Sequence, residues 1–302
     1  VSSEEPAVSV IIPAFNSTAT LPTQLEALSS QDFTGPWEIL IADNGSRDDL
    51  VGCVERCQAE LEGLPGCRII DGSRVAGAGY ARTIAILHAR SEMIAFCDAD
   101  DVVCPGWLTA LLGGLEEADL VTGPVTNVTT SLLEGKGAAQ LFKTLAFNLG
   151  QNPGGIWGCN SAFRRDALSG FSPDLIYLKD AATGRRAHSA GLRWARVEEA
   201  RVLYRQPEKT ATQFHRGYLN GAGRVQLFRE FPEIGYLFPH PIKSLLWLIL
   251  HSPATLSSRR RESWTRTAGS YSGGMIETLL PGLSAGVLSA RRARRAASSE
   301  SR

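Results

Sequence analysis

The chain has 302 residues, of which 43% are hydrophobic and 21% charged, with 31 basic and 31 acidic side chains. That is the composition of a globular protein with a sizeable core and room for about two domains. No run approaches the ~20 apolar residues of a membrane-spanning helix, and the six cysteines are scattered, Cys53 and Cys57 being a poor match to zinc-ribbon spacing. Free thiols and an acidic, non-apolar start (Val1-Ser2-Ser3-Glu4-Glu5-Pro6) lead us to expect a cytoplasmic protein. The balanced charge hides an asymmetry. From His240 onward ten Lys and Arg stand against three Asp and Glu, so the tail is basic and the body acidic.

Strands and helices alternate through the first part of the chain. Val8-Ser9-Val10-Ile11-Ile12 reads as a strand stopped by Pro13. Thr20-Leu21-Pro22 opens a helix with Leu21, Leu25 and Leu28 on one face. Glu38-Ile39-Leu40-Ile41-Ala42 is a second strand, ending in the turn signal Asp43-Asn44-Gly45. Leu50, Val51, Val54, Cys57 and Leu61 then recur at helical spacing. Arg68-Ile69-Ile70 is a third strand, and residues 79–90 a third helix. Met93-Ile94-Ala95-Phe96-Cys97 is the apolar run of a buried parallel strand. Trp107, Leu108, Leu111, Leu112 and Leu115 mark a helix, and Leu120-Val121-Thr122 a further strand. This alternation predicts an α/β fold with a mostly parallel, doubly wound sheet. From about residue 126 to 205 the pattern is irregular, and residues 150–160, rich in Gly, Asn and aromatics, fit a ligand-facing loop.

Right-handed crossovers gather the carboxyl ends of parallel strands at one edge. Those ends carry Pro13-Ala14-Phe15-Asn16, Asp43-Asn44, Asp71-Gly72 and Asp98-Ala99-Asp100-Asp101. Polar residues converging there form the pattern of a nucleotide site. Three crowded acids repel one another unless a cation or a set of donors compensates. A divalent ion carrying a diphosphate suits them, since Mg²⁺ prefers one or two carboxylates plus phosphate oxygens. The competing reading is a solvated loop or helix start, and Asp101 is equally suited to capping the next helix. Gly77-Ala78-Gly79-Tyr80-Ala81-Arg82 begins like a dinucleotide fingerprint. It has Arg in place of the third Gly and follows the third strand instead of the first, which speaks against hydride transfer.

Taken in order, five segments resemble the inverting family 2 glycosyltransferases of the GT-A fold, over residues 8–225. They are Val8 to Asn16; Ala42-Asp43-Asn44-Gly45-Ser46-Arg47-Asp48; Gly79-Tyr80-Ala81-Arg82-Thr83; Phe96-Cys97-Asp98-Ala99-Asp100-Asp101; and Gly158-Cys159-Asn160-Ser161-Ala162-Phe163-Arg164-Arg165. The resemblance implies a Rossmann-like twisted sheet with helices on both faces. It implies a nucleotide-sugar half at 1–125 and an acceptor-binding and catalytic half at 126–239, while charge and composition make 240–302 a basic amphipathic extension with a disordered tail. Pro13, Phe15, Asn16, Asp43, Arg74, Arg82 and Asp98 would contact the donor, Asp43 through the nucleobase. Asp98 and Asp100 would hold Mg²⁺ or Mn²⁺. Trp157, Gly158, Asn160 and Lys179 would face the acceptor, and Asp180 would be the base.

Two departures from the family pattern stand out. Lys179 replaces a Glu beside the base, and Tyr204 stands where relatives have a metal-holding His. The resemblance thus implies sugar transfer from a nucleotide donor, UDP-sugar favoured, to a hydroxyl of a glycan, lipid-linked glycan or metabolite, with no nucleic-acid partner. A catalytically silent relative that binds nucleotide sugar or glycan is the alternative. The run Leu245-Leu246-Trp247-Leu248-Ile249-Leu250 is too short to span a bilayer. With its basic flanks it either lies in the interface of the inner membrane face or packs on the protein.

Overall fold

The computed structural model describes residues 5–129, 133, 158–167, 187, 189–206, 210–230, 241–250 and 258–279. Trp157, Lys179 and Asp180 lie outside the described residues. The chain divides into two compact units, with the break between Gln206 and Pro207. That division puts residues 210–230 with the C-terminal helices, whereas the sequence placed them in an acceptor half ending at 239.

The first unit is built on a seven-stranded sheet, β3-β2-β1-β4-β8-β6-β9. Its strands are β1 (Val8–Ala14), β2 (Trp37–Asp43), β3 (Cys67–Asp71), β4 (Met93–Cys97), β6 (Leu120–Thr122), β8 (Asn160–Arg164) and β9 (Trp194–Arg196). β3, β2, β1 and β4 run parallel, and β8 is antiparallel to both β4 and β6. A second sheet joins β5 (Val102–Val103), β10 (Val202–Gln206) and β7 (Val125–Thr129) in the order β5-β10-β7. β1 continues through Pro13, which pairs with Ala42, instead of stopping before it. Pairing with β4 ends at Ile11, so Pro13 lies beyond the ladder on that side, where a missing N–H is tolerated.

Alternation along the strands supplies two cores. Val8, Val10, Ile12, Ile39 and Ile41 face one side. There they meet Leu21, Leu25 and Leu28 of α1 (Leu21–Ser29), Leu50 and Val54 of α2 (Leu50–Glu60), and Trp107 and Leu108 of α4 (Trp107–Gly114). Ile11, Leu40, Ile94 and Phe96 face the other side, against Ala81 and Ala85 of α3 (Ala78–His88). Helices therefore cover both faces, as a buried parallel sheet requires. At the amino ends of the strands Glu38 ties the sheet together. It accepts from Ser9 Oγ (2.8 Å), Arg68 Nη1 (2.8 Å) and Arg90 N (2.8 Å).

The second unit contains α5 (Thr210–Glu230), α6 (Pro241–Leu250) and α7 (Ser258–Leu279). α5 and α7 touch backbone to backbone. A Cβ on Gly221 would stand 1.9 Å from the Ser270 carbonyl oxygen, and one on Gly273 1.8 Å from that of Tyr218. Only glycine permits this approach. Among the described residues no helix is long and apolar enough to cross a membrane.

Candidate functional site

Strand register aligns the polar residues at one edge of the sheet. Ala14 pairs with Asp43 and Asp43 with Asp71, while Ile11 pairs with Phe96, two residues before Asp98. The loops that leave this edge are stitched together. Asn16, at φ +50°, accepts from Arg47 N through Oδ1 (2.7 Å) and donates its own N–H to Ser46 Oγ (3.0 Å). Half-buried Asp43 accepts Ser46 N at Oδ1 (2.8 Å), which forms the turn. Phe15 and Arg74 are exposed and Pro13 is half-buried.

Asn44 has a larger part than its turn signal implied. It is buried, and its Nδ2 donates to the carbonyls of Gly72 (2.5 Å) and Val75 (2.9 Å). Its Oδ1 accepts Gly77 N (2.7 Å). One side chain thus fixes the loop carrying Arg74 and the start of α3, which carries Arg82. Gly77 itself sits at φ +132°, a conformation that glycine alone adopts readily.

The acid loop is sorted by its neighbours. Asp98 pairs with Arg82 across the end of β4, the side chains being 27% and 10% exposed. Asp100 is exposed, and its carbonyl accepts Arg205 Nε (2.8 Å). Asp101 is buried, and its Oδ1 accepts Arg205 N (3.0 Å). Its Oδ2 is buried with no hydrogen-bond partner among the described residues. Burial, and then the charges of Asp100 and Asp98, push the Asp101 carboxyl well above its ordinary range, although the Arg205 N–H and the nearby Cys159 thiol oppose this. Asp101 does not cap the next helix: β5 intervenes, and Gly106 holds the position before α4. It joins β10 to the acid loop instead.

Ligand atoms of Asp98, Asp101 and Cys159 lie within 4.8 Å of one another. An orphaned carboxylate oxygen among them fits a divalent cation. The carboxyl that joins Asp98 in this cluster is that of Asp101, whereas the sequence paired Asp98 with Asp100. Tyr204, half-buried on β10 opposite Asn127, directly precedes Arg205, which binds the Asp100 carbonyl and the Asp101 carboxylate.

On the acceptor side Gly158 is half-buried and Cys159 buried. Asn160 departs from the expected acceptor contact. It is fully buried, its Oδ1 accepts Trp107 Nε1 (2.8 Å), and its Nδ2 donates to the carbonyls of Pro124 (3.0 Å) and Ala200 (2.7 Å). These bonds occupy the amide in joining α4, the β6–β7 connection and the approach to β10. Sequence reasoning missed Arg205 because its contacts with Asp100 and Asp101 join residues about a hundred positions apart.

The sequence profile described as "Glycosyl transferase family 2" matches residues 9–171. An uncharacterized glycosyltransferase, YfnE, of Bacillus subtilis is 37% identical over 92 residues, covering 30% of this chain and 22% of that protein. An N-acetylglucosaminyltransferase of Bradyrhizobium elkanii is 30% identical over 117 residues, covering 38% of this chain and 63% of the relative. The chain thus spans less than two thirds of either relative's own length. Among solved structures, the mannosyltransferase PcManGT of Pyrobaculum calidifontis, in complex with GDP-Man and Mn²⁺, superposes with a TM-score of 0.55 at 19% identity. That match covers 96% of this chain and 81% of the other. The shared architecture is of the GT-A type.

Proposed function

Because the chain belongs to glycosyl transferase family 2, we propose that it moves a sugar from a nucleoside diphosphate donor to a hydroxyl acceptor with inversion at the anomeric carbon. The observation that carries this is the convergence of Asn16, Asp43 and the Asp98–Asp101 loop on one edge of the sheet, with Arg82 among them. In this reading Asp43 accepts a hydrogen bond from the nucleobase, uracil being favoured. Pro13, Phe15 and Asn16 border it, and Arg74 and Arg82 serve the diphosphate. Asp98 and Asp101, with Asp100 beside them, would hold Mg²⁺ or Mn²⁺, and the ion would supply positive charge against the diphosphate.

The acceptor belongs to a glycan, a lipid-linked glycan or a small metabolite. Asp180 takes the proton of its hydroxyl. The freed oxygen attacks the anomeric carbon in line, and the bond to the diphosphate oxygen breaks through an oxocarbenium-like transition state. Trp157, Gly158 and Lys179 border the acceptor, while Asn160 holds α4 to the β6–β7 connection and the approach to β10. Incubating the full chain with UDP-, GDP- and dTDP-sugars and Mn²⁺ or Mg²⁺ tests this by released nucleotide. Asp180→Asn is expected to lower turnover at least about 100-fold, and a rate that survives it removes Asp180 as the base.

A membrane surface is a further proposed partner, supported by α6. Ile242, Leu245 and Ile249 follow one another at helical spacing and are 63%, 47% and 68% exposed, whereas Ser244 is buried. Exposed Lys243 and the sequence Arg259-Arg260-Arg261 add basic groups suited to anionic lipid. Flotation with vesicles containing anionic lipid is expected for the full chain and is expected to fall when these three apolar residues become Ser. Equal flotation of the two proteins discards the contact.

A further inference from the structure

Arg82 and Asp98 are each other's charge partner in the middle of the proposed donor site. Arg82 Nη2 meets Asp98 Oδ1, and both side chains are largely shielded from water. The guanidinium also lies over the Phe96 ring, 5.9 Å from its centroid, and Phe163 braces that ring edge-on at 5.6 Å. Arg82 therefore has an aromatic floor and a carboxylate wall, a setting that strengthens charge interactions relative to water.

The helix beneath Arg82 is held in place. Its start is tied by Gly77 N to Asn44, and Gly72 packs so closely that a Cβ there would stand 3.0 Å from Ala81 Cα. A cation that reaches the Asp98 carboxylate meets the Arg82 guanidinium already paired with it. A divalent ion arriving alone at Asp98 brings a second positive group to a carboxylate already paired. A diphosphate arriving with it changes the balance, because its oxygens neutralise both the ion and the guanidinium.

We propose that the Arg82–Asp98 pair makes a divalent cation and a nucleoside diphosphate bind as a unit. Arg82 opposes the cation alone and exchanges Asp98 for the diphosphate when both arrive. Linkage makes the effect reciprocal: the nucleotide raises affinity for the ion by the factor by which the ion raises affinity for the nucleotide. The inference rests on the donor reading above.

The test measures Mn²⁺ binding to the full chain from the electron paramagnetic resonance signal of the free ion, with and without saturating UDP or GDP. Wild type is compared with Arg82→Met, which keeps an apolar stem over Phe96 without the charge, and with Arg82→Lys, which keeps the charge. Arg82→Met is expected to bind Mn²⁺ alone about tenfold more tightly than wild type, and the gain in ion affinity from nucleotide is expected to shrink about tenfold. Arg82→Lys is expected to keep the wild-type order. Unchanged or weaker binding of Mn²⁺ alone by Arg82→Met, with wild type binding both ligands, overturns the proposal. Arg82→Gln applies the same criterion should the Met variant fail to show a cooperative melt. Wild-type protein that binds neither nucleotide removes the donor reading itself, and this inference with it.

Discussion

Replacing Asn160 by Ala separates a structural role from an acceptor contact. The side chain is fully buried and makes three hydrogen bonds, to Trp107 Nε1 and to the carbonyls of Pro124 and Ala200. Truncation strands Trp107 Nε1 and the Ala200 carbonyl and takes one of two donors from the Pro124 carbonyl, which keeps Val202 N (3.2 Å); the region is crowded, since a Cβ on Gly123 would already stand 2.7 Å from Asn160 Nδ2. Each of the two stranded groups costs about 1–3 kcal/mol and the lost bond to Pro124 about 1 kcal/mol, and water entering the space recovers part of this, so a loss of about 4 kcal/mol follows. That is a large share of the roughly 5–15 kcal/mol stability of a domain. With an m-value of about 2 kcal/mol/M, the urea midpoint followed by tryptophan fluorescence should fall by about 2 M. Asn160→Asp should be worse, since it turns an acceptor toward two carbonyls. A midpoint within about 0.3 M of wild type, together with a raised acceptor KM, would refute the reasoning and return Asn160 to the acceptor site.

Two further outcomes bear on stability. Burial pushes Glu38 up, but the Arg90 N–H, the Ser9 hydroxyl and the Arg68 guanidinium outweigh it and hold the carboxyl below its usual value. Its stabilisation is thus present above the unfolded pKa of about 4.3 and is lost as pH falls through the lower folded value. Glu38→Gln should cost about 2 kcal/mol at pH 7, with the gap in melting temperature closing as pH falls below about 4; an equal gap at both ends contradicts the assignment. Gly221→Ala places a methyl 1.9 Å from the Ser270 carbonyl oxygen, a backbone atom that cannot swing away. Separation of α5 and α7 should cost about 3 kcal/mol and expose the C-terminal helices to limited proteolysis, and an unaltered digestion pattern would show that the helices are not so closely packed.

The sheet was legible in the sequence because each of its first four strands carries a short apolar run with a Pro or Asp at its end, although Pro13 marks the end of the run and not of β1, which goes on to Ala14. β4 spans the residues that the apolar run predicts, and β6 likewise. The edge carrying Asp43 and Asp98 followed from the handedness of crossovers. The division of labour inside Asp98–Asp101 was not legible. Asp101 is drawn inward by β10, whose pairing with β5 closes a loop of about a hundred residues and leaves no local trace. Asn160 was misjudged for a related reason: its partners come from residues 107, 124 and 200 and meet only in the folded chain. Gly217 and Gly221 on α5, and Gly269 and Gly273 on α7, are each four residues apart, a spacing visible in the sequence, but the helix each pair meets was not.

The central claim is that the carboxyl edge of the first sheet is a nucleoside diphosphate site. Titration of UDP, GDP and dTDP into the full chain with Mn²⁺, by calorimetry, tests it most directly, with Asp43→Ala and Asp98→Asn as comparisons. Saturable binding of one nucleotide by the wild type is predicted, weakened at least about tenfold by either substitution, the loss of one charge-assisted contact. Wild-type protein with a normal melting curve that binds none of the three nucleotides, or binds one with an affinity unmoved by both substitutions, would contradict it.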